Sequence, residues 1–408
     1  MKSLTTLVLF AAVAVVSLSL AAPAQAGKKM EILLQDDGIF LFPNNYYDRD
    51  FAYLQARALG VTGLRMNIQW FMAMSAAQAQ STVKPGQVDY QWGVWDTAIA
   101  RARQYGMHVQ LALAGDPPAW ACGSRRQPYD CDGYKPDVAE FRAFAQAAAA
   151  HFGSSVKRYS IWNEPNWYTW ISPHKRSPRL YRELYEAGYE GVKAGYPGAK
   201  VLMGELAPRF QENIAIAPLE FLRRMVCVNG KFKRKRSADR KCGPEPLKLD
   251  GFAHHPYHFE VRPRKLSPVE DDLTMANIDE LNVHLAKLKK LGVLDPSTKK
   301  IKVYLTEHGY MVSGNPDVRP RRQIPEYKRK KWVVNAFQIA QSTRRIKGML
   351  YYNLVSAPLG SPSSYFDLGL IQTDGNPRDS YWALRDWAQA AIVERRVKAP
   401  PPCSGVVC

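Results

Sequence analysis

One alternation constrains the fold of this chain more than any other feature. Eight times over, a short apolar, branched run of β character is followed by a longer stretch of helical periodicity. The runs read, in order, Met30–Gln35, Gly63–Ile68, His108–Leu113, Val156–Trp162, Lys200–Gly204, Leu249–His254, Lys302–Thr306 and Gly348–Asn353. Helices are expected over Asp48–Leu59, Trp92–Tyr105, Val138–His151, Pro178–Ala194, Pro218–Val228, Met275–Leu291, Tyr327–Thr343 and Ser380–Val393. Several of these stretches stop at a glycine, as at Gly60 and Gly106, where a left-handed residue closes a helix. Eight such units favour a closed barrel over an open sheet. The expected class is therefore α/β, a single-domain (β/α)8 TIM barrel with long loops after its strands. A chain of 408 residues is unusual as one domain except in such a barrel.

The first residues stand outside this pattern. Lys2, an apolar run from Leu7 to Leu20 and the small-residue site Ala24-Gln25-Ala26 make a secretory signal peptide over Met1–Ala26. The catalytic domain is then expected over 27–398, with a Pro-rich tail over 399–408. Export implies an extracellular protein, with no later stretch apolar enough to span a bilayer. Six cysteines fall into three sequence-local pairs, read by proximity as Cys122–Cys131, Cys227–Cys242 and Cys403–Cys408. The rival reading, a zinc site, lacks a CxxC with a matching partner.

The formal charge is +19. The excess is concentrated in two runs, Lys231–Arg236 and Arg319–Lys331. The simpler reading is two solvated loops. The sharper one is attraction to an acidic polymer or a wall-associated glycan. Nucleic acid is not an expected partner outside the cell.

A barrel places its chemistry at the C-terminal ends of its strands. After the fourth run comes Asn163-Glu164-Pro165-Asn166, and after the seventh Glu307-His308-Gly309-Tyr310. Two carboxylates thus stand on one rim, facing one pocket. Cleavage of a glycosidic bond needs that pair: one acid to protonate the leaving oxygen and one carboxylate opposite it at the anomeric carbon. The other strand ends supply Arg65, Asn67, Trp120, Glu205, His255 and Tyr257, as donors for hydroxyls and flat faces for sugar rings. Glu205 is read either as a substrate contact or as the counter-charge of a nearby base.

The segments Ile161-Trp-Asn-Glu-Pro-Asn166 and Leu305-Thr-Glu-His-Gly-Tyr310 resemble glycoside hydrolase clan A, the group that includes families 5 and 39. The resemblance implies a retaining mechanism with Glu164 as acid/base and Glu307 as nucleophile. It implies that Asn163 contacts the sugar 2-hydroxyl, that Arg65 supports the nucleophile, and that Tyr257 of His255-Pro-Tyr257 orients it. One departure is plain. The clan often carries a Trp on strand eight, where this chain reads Tyr351-Tyr352-Asn353, so Tyr352, Trp167 or Trp170 is expected to floor the sugar site. No cofactor and no metal is called for.

Two rivals remain. His254, His255, His258 and His308 invite a metal-dependent hydrolase, but the first strand ends Gln35-Asp36-Asp37-Gly38, without the His-x-His of barrel metallohydrolases. A barrel that grips glycan without cutting it usually lacks a catalytic carboxylate, and here both are present.

Overall fold

A computed structural model describes residues 29–123, 131, 133–234 and 245–408. Eight parallel strands close into a barrel: β1 (Glu31–Gln35), β2 (Val61–Gln69), β3 (His108–Ala114), β4 (Arg158–Ile161), β5 (Lys200–Leu206), β6 (Gly251–His254), β7 (Val303–Leu305) and β8 (Ile346–Tyr352). Closure runs from Glu31 beside Gly348 to Gln35 beside Tyr352. One principal helix follows each strand: α1 (Arg49–Ala58), α2 (Gly93–Gln104), α3 (Val138–Phe152), α4 (Ser177–Gly195), α5 (Pro218–Met225), α6 (Asp279–Lys290), α7 (Glu326–Ser342) and α8 (Asp379–Val393). The expected (β/α)8 barrel is the observed one.

The two-residue period of a strand explains what faces where. Leu64, Met66 and Ile68 of β2 join the main core under the helices. The alternate residues, Arg65 and Asn67, therefore point into the barrel. The same alternation packs Leu202, Ala253 and Tyr304 into a separate layer inside it. Below that layer, Glu31 meets Arg158 at 2.8 Å and Lys398 at 2.7 Å. Burial opposes its charge, yet Arg158 and its neighbours hold Glu31 down to about 2. The helices start on side-chain caps: Asp48 accepts from the Phe51 amide, and Asp137 from those of Ala139 and Glu140.

Boundaries move where local geometry intervenes. β4 is shorter than Val156–Trp162, because Trp162 leaves the strand with a φ of 68°. The run Leu249–His254 breaks at Asp250. Leu247–Leu249 pairs instead with Leu294–Pro296 as a separate ribbon. Asp250 anchors the break by accepting from the Val201 amide and from Lys193.

The disulfides Cys122–Cys131 and Cys403–Cys408 are formed. Cys242, the expected partner of Cys227, lies outside the described residues, as does the stretch Met1–Ala26 expected to be a signal peptide. The tail is tied down by Arg57 donating to the Pro401 carbonyl and by the Ser404 amide donating to that of Gln104. No helix among the described residues is long and apolar enough to cross a membrane.

Candidate active site

The site begins with three non-glycine residues in the left-handed region at the C-terminal rim: Trp162 (φ 68°), Glu164 (φ 35°) and Glu205 (φ 51°). Such backbone is costly and persists where the surroundings hold it in place. At Glu205 the cause is visible. Pairing between β5 and β6 slips between Gly204 and Leu206, a bulge that re-aims the side chain between them. Gly204 itself sits at φ 118°, and a Cβ there would come within 2.2 Å of the Ala253 carbonyl. The Glu205 carbonyl then accepts the Glu164 amide at 2.9 Å, so the two acidic loops lock together.

Around this frame the charges interlace. Arg65, fully enclosed, donates to Glu307 Oε1 at 2.8 Å and to Asn163 Oδ1 at 2.9 Å, and lies 3.4 Å from Glu205. Tyr257 donates its hydroxyl to Glu307 Oε2 at 3.1 Å. His255 touches three carboxylates: Glu164 through Nδ1 at 3.0 Å, Glu205 through Nε2 at 2.6 Å, and Glu307 at 3.6 Å. Thr306 donates a further hydroxyl to Glu205 at 2.6 Å. Arg65, Glu205 and His255 side chains are sealed from solvent, whereas Glu164 and Glu307 keep 17% and 13% of their surface. The two that stay open are the two a substrate can reach.

Electrostatics separates the acids. Burial pushes Glu205 up, but Arg65 and His255 overcome it and hold Glu205 down to about 2. Burial pushes His255 down, and Glu307, Glu164 and Glu205 together carry it up to about 10. His255 is therefore an imidazolium at neutral pH. Glu307 is raised by burial and by Glu164 and Glu205, against the pull of His255 and Arg65. Arg65 and Tyr257, expected to support and orient Glu307, both bond its carboxylate. Three carboxylates, Glu164, Glu205 and Glu307, thus face two cations, Arg65 and His255.

The other expected residues divide. Tyr352 is half-buried, packs 5.9 Å from the Phe366 ring, and feels the charges of Glu307, Asp37 and Asp36. It belongs to the site. Trp120 is half-buried: its indole donates to the Gln78 carbonyl and its ring meets Trp70 edge-on at 6.0 Å. Trp167 is half-buried and pairs with Ala215 by a backbone bridge. Trp170 packs against the core, and its carbonyl accepts from Trp162.

Asp37 was read only as the end of strand one. It accepts from Gln35 at 3.1 Å and Asn67 at 3.0 Å, and its Oδ1 is buried without a partner. Burial, against the pull of Arg65, carries it up to about 6. The signal available in sequence was its place at a strand end.

Glu164, His255 and Glu307 each offer an atom within 4.8 Å of the others, the spacing of a three-ligand metal site. Both ring nitrogens of His255 are already engaged by carboxylates, Nδ1 by Glu164 and Nε2 by Glu205. His254 and His258 bond to the Leu273 and Lys265 carbonyls.

The barrel has known counterparts. It aligns with a family 39 glycoside hydrolase from the gut symbiont Bacteroides cellulosilyticus WH2 at a TM-score of 0.58 and 16% identity, over 88% of this chain and 64% of that one. It aligns with the GH39 enzyme from Xanthomonas axonopodis pv. citri at 0.55 and 16%, over 88% and 67%. A β-glucosidase from Thermotoga maritima aligns at 0.56 and 13%, over 91% and 98%. What the three share with this chain is the closed eight-stranded parallel barrel. The likeness, at 13–16% identity, is one of fold. The chain spans about two thirds of the length of the first two proteins. No protein-family model and no curated protein matches it.

Proposed function

We propose that this glycosidase barrel is an exported retaining glycoside hydrolase that cleaves an extracellular oligo- or polysaccharide by double displacement. The observation that carries the reading is the spacing of its two open carboxylates. An oxygen of Glu164 and one of Glu307 lie within 4.8 Å of each other. Carboxyl groups in retaining enzymes stand ~5–5.5 Å apart, whereas inverting pairs stand ~6.5–9.5 Å apart to admit a water.

In the first step Glu307 attacks the anomeric carbon while Glu164 gives its proton to the departing glycosidic oxygen. A covalent glycosyl–Glu307 ester forms and the aglycone leaves as an alcohol. In the second, Glu164, now a carboxylate, takes a proton from water as the water's oxygen attacks the same carbon. The sugar departs and both glutamates return to their starting states. Arg65 and the Tyr257 hydroxyl receive the carboxylate charge that returns to Glu307. Asn163, held by Arg65, faces the sugar 2-hydroxyl. Asp37 and Tyr352 offer further contacts to the same ring.

A glycan and aryl-glycoside panel, with product configuration followed by proton NMR, tests this reading. Initial products of retained configuration support it. Inverted products, or turnover lost in excess chelator and restored by zinc, overturn it.

A further inference from the structure

The two basic runs do not share a place. The described part of the first run, Lys231–Arg234, follows α5 and so lies at the N-terminal face of the barrel, opposite the site. There Arg234 donates to the Gly292 carbonyl and Lys287 sits 4.6 Å over the Phe232 ring; Lys235 and Arg236 are beyond the described residues. The Arg319–Lys331 run begins in the loop between β7 and α7, on the site's rim, and continues into the first turns of α7. Arg322 stands 5.5 Å over the Phe259 ring, and Phe259 stacks 4.6 Å from Tyr257, the partner of Glu307.

A concavity of about 1520 Å³ lies on the flank of the barrel between α6 and α7. Nine lysines and arginines line it, against one acid, Asp279. Lys287 and Lys290 come from α6, Lys300 and Lys302 from the approach to β7, and Arg344 and Arg345 from the turn into β8. Its upper end is Arg264, in the loop whose His258 follows Tyr257 and bonds the Lys265 carbonyl. Arg264 thus places one end of the groove on the loop that follows β6, the strand that carries His255 and Tyr257 at its end. Its volume exceeds the ~300–1,000 Å³ of a small-molecule pocket, so it suits a segment of polymer. Like charges crowded along a concave wall repel one another and focus a positive field.

The geometry points to a linear polyanionic polysaccharide, carboxylated or sulfated, bound along the groove between α6 and α7 and leading toward the glycosidase site. The choice of a glycan as occupant rests on the function proposed above. The groove's own chemistry agrees with it. No aromatic side chain lines it among the described residues, so neither the base stacking that single-stranded nucleic acid uses nor the ring stacking of neutral sugars is available. Charge along a saturated chain is what its walls can read.

Binding of the full chain to dextran, dextran sulfate, alginate and a DNA duplex at low salt, measured by affinity electrophoresis, tests the inference. The variant Lys290→Gln/Lys300→Gln/Arg344→Gln is compared with Lys157→Gln/Lys200→Gln/Lys248→Gln, which removes three exposed charges elsewhere. The groove variant should lose at least about tenfold in affinity for dextran sulfate or alginate, and the control less than about twofold. Dextran should bind to neither. A response to dextran sulfate alone identifies sulfate as the group read, and to alginate alone, carboxylate. Equal losses in both variants mark non-specific attraction to net charge and overturn the inference. Tighter binding of the duplex than of either polyanion assigns the groove to nucleic acid and overturns it too. The assay needs no turnover. A protein that binds through the groove yet cleaves no glycoside refutes the proposed activity alone.

Discussion

His255 stands between Glu164 and Glu205, 3.0 Å from the first through Nδ1 and 2.6 Å from the second through Nε2. One imidazolium thus joins an open carboxylate to a sealed one, and the rest of the site is arranged about it.

Replacing His255 by Gln removes the charge that holds the carboxylates down. The acidic limb of the kcat/KM–pH profile, where Glu307 protonates, should move up by about one unit. Stability should change with pH as well. His255 rises from 6.5 in the unfolded chain to about 10 in the fold, so its contribution is fully present below pH 6.5 and lost as pH rises through 10. Thermal unfolding of wild type and His255→Gln should converge across that window. Parallel curves from pH 6 to 10 would contradict the assignment.

Glu205 is sealed, and its charge answers Arg65 and His255. Glu205→Gln leaves both cations under-compensated and should destabilise the fold by about 3–5 kcal/mol in urea titrations at pH 7. Its pKa falls from 4.5 to about 2 on folding. The stabilisation is therefore present above pH 4.5 and lost as pH falls through 2, so the deficit of the variant should shrink on acidification. A deficit that grew instead would refute the role of counter-charge.

The second basic run contains residues of opposite kinds. Arg329 is fully buried and donates to the carbonyls of Tyr310, Leu368 and Gly369 and to the hydroxyls of Ser380 and Tyr351. Lys331, two residues on, is exposed. Arg329→Ala should cost about 3–5 kcal/mol and Lys331→Gln no more than about 0.5. Chemical denaturation of the two variants separates a structural guanidinium from a solvated charge.

These pairs show what the sequence holds and what it withholds. The barrel was legible because strand and helix periods are local, and Glu164 and Glu307 because a barrel gathers its strand ends on one rim. Arg65, Tyr257 and His255 follow from the same rule together with the clan resemblance. The fate of Arg329 was not legible, since a run of basic residues carries no mark of which one turns inward. The bulge at Gly204 that aims Glu205 depends on the register with β6, set by residues far along the chain. Trp120 was expected as a sugar platform because it follows strand three; its engagement by Trp70 and the Gln78 carbonyl depends on residues outside that segment. The electrostatics of Glu307 sums burial with four charged groups, Arg65, Glu164, Glu205 and His255, at the ends of four other strands, beyond the reach of any single segment.

The division of labour between the two open glutamates is tested most directly by the turnover of two variants on an aryl glycoside with a good leaving group. Glu307→Gln should lose at least about a thousandfold in kcat, with no rescue by azide. Glu164→Ala should keep slow turnover of the activated substrate and accelerate in azide, releasing a glycosyl azide of retained configuration. Wild-type rates in Glu307→Gln, or azide rescue of that variant rather than of Glu164→Ala, would contradict the roles assigned here.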